Sequence, residues 1–275
     1  MIVFPNSKIN LGLRILRKRE DGYHDLETFF YPVAIKDALE IIQQGLHEHS
    51  SSFPFTQSGA PIKGQPTSNL CVRAYKLLKR DFPHLPRIKM HLHKTIPSGA
   101  GLGGGSADAA FTLVLLNQMF HLGIPQEKLL DYAAMLGSDC PFFIINKPCY
   151  ATGRGEILEE VPLDLSAFKI VVVNPGIHVD TGLAFLNITP TQPAQSVKEI
   201  ITTVPFERWK DVLVNDFEKA IFPHHPEIAD LKDAFYSKGA VYASMSGSGS
   251  TVYGIFPAEQ VPSFEFPENY FVRIV

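Results

Sequence analysis

KTIPSGAGLGGGSADAA, residues 94–110, decides how the rest of the chain is read. Ahead of it, Ile88, Met90 and Leu92 alternate with Lys89, His91 and His93, the period of a half-buried strand. Behind it, Phe111, Leu115, Met119 and Leu122 recur at helical spacing from Ser106 to Leu122, and Gly123 with Pro125 closes the element. Strand, glycine-rich loop and helix succeed one another without a break. Gly99, Gly101, Gly103, Gly104 and Gly105 remove side chains just before the helix, so backbone N–H groups can converge on an anion that the positive helix end also favours. Ser106 adds a hydroxyl suited to a phosphate oxygen or a magnesium ion. A flexible linker would not lead straight into so well patterned a helix.

Other phosphate signatures fit less well. Gly99, Gly101 and Gly104 satisfy GxGxxG, but a dinucleotide site needs an acidic residue about 20 residues further on at a strand end. Here that distance falls at a helix end. No GxxxxGK[ST] segment occurs, and the VAIK, HRD and DFG signatures of protein kinases are absent. The close histidine pairs His47 and His49, His91 and His93, and His224 and His225 have no cysteine nearby and no HExxH, so zinc is not expected.

The chain has 275 residues, 45% hydrophobic and 19% charged, which suits a folded protein of one large or two medium domains. A net charge of -3 with dispersed Lys and Arg gives no basic field for nucleic acid. Cys71, Cys140 and Cys149 form no even framework, and the start MIVFPNSKINLGLRILRKRE lacks the ordering of a secretory signal. A cytoplasmic location is expected. The most apolar stretch falls short of the ~20 residues of a membrane span, so no membrane contact is expected.

Outward from the loop, Ile9, Leu11, Leu13 and Ile15 alternate with Lys8, Asn10, Gly12 and Arg14, a strand on which Lys8 and Asn10 share a face. Asp21-Gly22 is a turn, and 26–42 reads as further strand. Residues 44–66 read as a loop or edge region. A helix is expected over 69–80, capped by Thr67 or Ser68, and another over 125–136, which Gly137 ends. Asp139 then falls where backbone geometry changes. Beyond about residue 158 the pattern restarts with a strand over 169–173, the Pro175-Gly176 turn, and helical regions around 205–221 and 226–238. VYASMSGSGSTVYGIF, residues 241–256, reads as a hairpin around Ser246, Gly247, Ser248, Gly249 and Ser250.

Four segments together resemble a known family. PNSKINLGLRILRKREDGYHDL is similar to the first motif of the GHMP kinases, in the DGYH form of the branch acting on cytidine diphosphate-linked methylerythritol. IPSGAGLGGGSADAA resembles the second motif, LGSDCPFF the segment with the catalytic aspartate, and SMSGSGST the third, glycine-rich motif. Their order is correct and they cover the chain from residue 5 to about 251. Asn6 and Ser7 depart from the usual Pro-Ala, and Ser138 replaces an alanine.

The resemblance implies an α+β, two-lobed fold: a ribosomal-S5-domain-2-like ATP-binding domain over 1–158 and a ferredoxin-like substrate-binding domain over 159–275. It implies a small-molecule kinase of non-mevalonate isoprenoid synthesis, using ATP and Mg2+, with a cytidine diphosphate-linked alcohol as acceptor and no obligate protein partner. The magnesium ligands stay unassigned. Asp139 maps onto the family's base and Lys8 onto its lysine. ATP is assigned to Pro97, Ser98, Gly99, Ala100, Gly101, Leu102, Gly103, Gly104, Gly105, Ser106 and Ala107, with Lys94 near the nucleotide and Asn69 and Leu70 near the adenine. Asn10 is assigned to the acceptor's hydroxyls, Tyr23, His24, Phe185 and Thr181 to its cytosine pocket, and Ser246, Gly247, Ser248 and Gly249 to support of loop and substrate. Rival expectations are a GHMP kinase for mevalonate, homoserine or a sugar, a dinucleotide oxidoreductase, or a nucleotide-binding module without catalysis.

Overall fold

The structure, a computed structural model, describes residues 1–45, 54–62, 64–186 and 188–275. His47, His49 and part of the 44–66 stretch lie outside the described residues. Elements are numbered along the chain.

One compact unit comprises Met1–Ser7, Ala34–Ser98 and Gly103–Asn146. Its sheet has the order β1 (Ile2–Val3), β4 (Ala38–Gln43), β6 (Ile88–Lys94), β5 (Phe55–Gly59). β4 and β6 pair antiparallel from Ala38↔His93 to Gln43↔Ile88, while β5 runs parallel to β6 at the edge. The edge half of the expectation for 44–66 therefore holds at Phe55–Gly59, as strand rather than loop. Ile88, Met90 and Leu92 are buried, and they join Leu39 and Ile41 in a core with the helices α1 (Leu70–Asp81), α2 (Gly104–Met119) and α3 (Gln126–Leu136). α2 buries more than the expected stripe. Ala109, Ala110, Thr112, Leu113, Leu115 and Leu116 are all covered, because α1, α3 and α4 (Cys140–Ile145) pack around it.

Two details correct the sequence reading of this unit. The cap of α1 is Asn69, whose side-chain oxygen accepts from the Cys71 N–H at 2.9 Å, whereas Pro66–Ser68 forms a 3₁₀ turn. The departure at Asn6 also gains a physical reason. Its amide exchanges two hydrogen bonds, 3.0 and 2.8 Å, with Asn146 at the end of α4.

The second unit comprises Lys8–Val33, Gly99–Leu102 and Lys147–Val275. Most of one sheet, β2 (Asn6–Lys18), β3 (His24–Lys36), β7 (Cys149–Thr152) and β8 (Ile157–Glu160), lies here. The other has the order β10 (Tyr242–Met245), β11 (Val252–Pro257), β9 (Phe168–Asn174), β12 (Phe271–Ile274). Val171, Val173, Ala243, Met245, Val252 and Phe256 from this second sheet share a core with Phe217, Ile228 and Phe235. These last three come from α8 (Asp216–Ile221) and α9 (Pro226–Ser237). Three short helices, α5 (Thr181–Leu186), α6 (Val197–Thr203) and α7 (Trp209–Val212), complete the unit. The helical region expected around 205–221 is present as short segments. β10 and β11 form the expected hairpin, closing at Met245↔Val252.

These units interleave along the sequence. Pairing explains it: β3 is hydrogen-bonded to β7 through Thr28↔Ala151 to Phe30↔Cys149, which carries residues 8–33 to the C-terminal side.

Candidate active site

In the second unit, three of the four motifs meet. β2 was expected to have one buried face, but residues 6–13 are buried on both. The glycine loop and the β10–β11 loop cover the polar face. The Lys8 N–H donates to the Leu102 carbonyl at 3.0 Å, and the Lys8 ammonium donates to Asn10 Oδ1 at 2.6 Å and to the Gly101 carbonyl at 3.2 Å. Phe30 lies under that ammonium, 5.0 Å from ring centre to Nζ. Ser246 Oγ donates to the same Gly101 carbonyl at 2.8 Å and accepts from the Asn10 N–H at 3.2 Å. One carbonyl of the glycine loop thereby ties the first and third motifs together.

Glycine is required where that tie forms. Gly101 has φ +79°, and a Cβ there would lie 2.0 Å from the Ser246 carbonyl oxygen. Ser246 and Ser250 are fully buried, and the amide of Asn215 holds the Met245 and Gly247 carbonyls at 2.8 Å each. The 246–250 loop is therefore a brace. Of the residues assigned there, Ser248 reaches outward, sharing a 2.8 Å hydrogen bond with the exposed Thr181. Asn10, expected at the acceptor's hydroxyls, donates its amide to Thr28 at 2.9 Å and accepts from Lys8 at its oxygen. It orients the lysine.

The residues expected to form a base pocket lie in this unit as well. Tyr23 is 55% exposed, with the Arg154 guanidinium 4.9 Å over its ring. Phe185 stacks directly on His24, centroids 4.9 Å apart at 13°. One face of Phe185 is thus occupied. Burial, with Lys18 adding repulsion, lowers the His24 pKa, so at neutral pH the imidazole has one donor and one acceptor nitrogen.

The first unit holds the ends of the glycine loop. Gly103, at φ +70°, is the N-cap of α2, and Gly104, Gly105, Ser106 and Ala107 form its first turn. Nothing but Leu70 Cδ1, at 3.9 Å, stands near the position of a Gly105 Cβ. Leu70 and the head of α1, with its Asn69 cap, therefore flank the head of α2. Asp139 occupies the N-cap position of α4, without a side-chain capping hydrogen bond. The next residue, Cys140, opens α4, which packs against α2, so the aspartate's turn adjoins the helix that the glycine loop opens. Burial pushes the Cys140 thiol up to about 12. Pro97 is half-buried and Ser98 exposed on the loop's approach.

Lys94, expected near the nucleotide, is paired with two acids. It is 2% exposed, its ammonium held by Asp37 Oδ2 at 2.5 Å and Asp108 Oδ2 at 2.6 Å. Burial works against the charge, but the two carboxylates outweigh it and raise the Lys94 pKa. Sequence reasoning missed both acids. The stretch from Val33 to Ile42 carries Lys36, Asp37 and Glu40, so Asp37 does not stand out in it.

Residues 69–147 match the GHMP kinases N terminal domain, and residues 206–264 match the GHMP kinases C terminal family. The chain belongs to the GHMP kinases. Among relatives of this GHMP kinase, 4-diphosphocytidyl-2-C-methyl-D-erythritol kinase of Bacteroides fragilis is 53% identical over 97% of this chain and 96% of that protein. The Bacteroides thetaiotaomicron protein of the same name is 52% identical, covering 98% of each. A solved structure of 4-(cytidine 5'-diphospho)-2C-methyl-D-erythritol kinase superposes with a TM-score of 0.78 at 31% identity, over 94% of this chain and 91% of that one. The chain is thus an ATP-dependent small-molecule kinase of α+β fold. Among the described residues, no helix is long and apolar enough to cross a membrane.

Proposed function

We propose that this kinase transfers the γ-phosphoryl group of ATP to the 2-hydroxyl of 4-diphosphocytidyl-2-C-methyl-D-erythritol, giving ADP and the 2-phosphate. Relatives that share about half of its residues over nearly full length bear that kinase's name. The observation that carries the reading is the Gly101 carbonyl, held by both Lys8 and Ser246, which fixes the glycine loop against the lysine strand.

ATP enters as its magnesium complex, its phosphates wrapped by the N–H groups of residues 98–107, with Pro97 at the loop's approach, and by the positive end of α2. Asn69 and Leu70 border the adenine. The acceptor oxygen attacks the γ-phosphorus in line, the bond to the β-phosphate oxygen breaks, and Asp139 takes the hydroxyl proton. Lys8, aimed by Asn10, offsets charge developing on the transferring group. Tyr23 and Phe185 offer ring faces to the cytosine and His24 its edge, while Thr181 and Ser248 line the acceptor's approach. The ATP-binding half, residues 1–158, and the acceptor-binding half, residues 159–275, remain part of this proposal. Three unpaired, buried cysteines suit a reducing compartment, and the proposal includes a cytoplasmic location.

ADP release, measured with this acceptor, its cytidine-free analogue, mevalonate, homoserine and a hexose, tests the assignment. Turnover is expected with the first alone. Faster turnover of any of the others would transfer the enzyme to a different GHMP substrate class.

A further inference from the structure

We propose that Asp37, Lys94 and Asp108 form a buried positioning clamp that presets the glycine loop for the phosphates of ATP. The clamp fastens both ends of the loop within one compact unit. At the approach, Asp37 Oδ1 accepts from the backbone N–H groups of Thr95 at 2.6 Å and Ile96 at 2.8 Å, fixing the chain where β6 turns into the loop. At the far end, Asp108 stands in the second turn of α2, the helix the loop opens. Lys94 joins the two, its ammonium bonded to both carboxylates. Gly104 lets the parts close up: a Cβ there would lie 2.9 Å from Lys94 Nζ and 2.8 Å from Ile96 Cγ2.

The composition of the clamp suits a positioning part more than a stabilising one. One ammonium faces two carboxylates in a site that is 2% exposed or less, and the second oxygen of Asp108 is buried with no hydrogen-bond partner. A well-packed apolar trio would stabilise the fold at least as well. Charge-assisted bonds from one ammonium instead dictate distance and direction between the two loop ends. Cys71 on α1 also faces this group, its thiol pushed up by burial, so Lys94, Asp37 and Asp108 are the charges that matter there. None of the three touches the nucleotide in this reading. They act through the loop.

Asp108→Asn tests the clamp, since the amide keeps the shape and an acceptor oxygen but loses the charge that draws Lys94 toward α2. The inference rests on the loop being the ATP site, so ATP affinity is measured by calorimetry as well as by kinetics. Expected are a melting temperature no lower than the parent's, a KM and Kd for ATP raised about tenfold, and kcat and the acceptor's KM within about threefold. Unchanged ATP affinity, or parallel loss for ATP and acceptor, overturns the proposal. Asp37→Asn, which keeps the Thr95 and Ile96 bonds but loosens Lys94, should show the same split and decides the matter if the first variant does not fold. Should the parent bind ATP yet phosphorylate no alcohol, the functional reading fails while ATP affinity of the variants still judges the clamp.

Discussion

Two glycine-rich loops of this chain have similar composition and opposite consequences. Residues 97–105 run into a 16-residue helix and leave Gly99 and Gly105 exposed, whereas residues 246–250 close a hairpin and are almost entirely buried. In the first, glycine opens main-chain N–H groups to an anion. In the second, it allows one backbone to lie against another, as the Gly101 and Ser246 contact requires. The element into which a glycine run leads, helix or strand, decides which of the two it becomes. The cradle and the brace should therefore respond differently to substitution.

The chemistry served by the cradle gives the largest expected effect. Asp139→Asn should leave the melting temperature in place and cut kcat by about 10²–10⁴; a purified variant with near-parent turnover would remove the base assignment. Next comes Gly101→Ala, where a strained φ and a 2.0 Å clash with Ser246 coincide. A loss of roughly 1–3 kcal/mol in denaturant unfolding is expected from the backbone strain alone. Gly99→Ala sharpens the contrast, because it shares a positive φ of +67° but has nothing within 4 Å. Its cost should stay near 1–2 kcal/mol, and equal costs at the two glycines would contradict the brace.

Ser246→Ala removes one donor from the Gly101 carbonyl and should cost about 1 kcal/mol, with a matching, modest rise in the KM for ATP. The smallest effect concerns pH. Because the folded His24 pKa is lowered, its neutral form persists somewhat below the ordinary range and charges only at more acid pH. The acceptor's KM should hold steady from pH 8 to about 6.5 and rise severalfold below, whereas His24→Phe should show a raised KM without that acid limb. A parent KM that climbs instead toward alkaline pH would exclude the neutral imidazole as the contact.

Much of this is legible in the sequence alone. Period-two and helical spacing place β6, α2 and the β10–β11 hairpin, and the glycine runs mark both loops. The four motifs point to the family the comparisons establish. The hidden part depends on pairing between distant residues. Asp37 and Lys94 are 57 positions apart, Asn6 and Asn146 are 140, and neither pair leaves a local mark. Asn10 looks like an open acceptor contact because its strand face is polar. Its burial comes from the loops that cover it, which periodicity does not report. The strands β7 and β8, four residues each, carry too little pattern to announce themselves.

Tracing the phosphorus itself gives the sharpest test of the proposed transfer. Phosphorus NMR of the product formed from ATP and the cytidine diphosphate-linked acceptor should show a new monophosphate ester coupled to the carbon bearing the 2-hydroxyl, in equal amount to ADP. ADP formed with inorganic phosphate instead of that ester, or an ester at another hydroxyl, would contradict it.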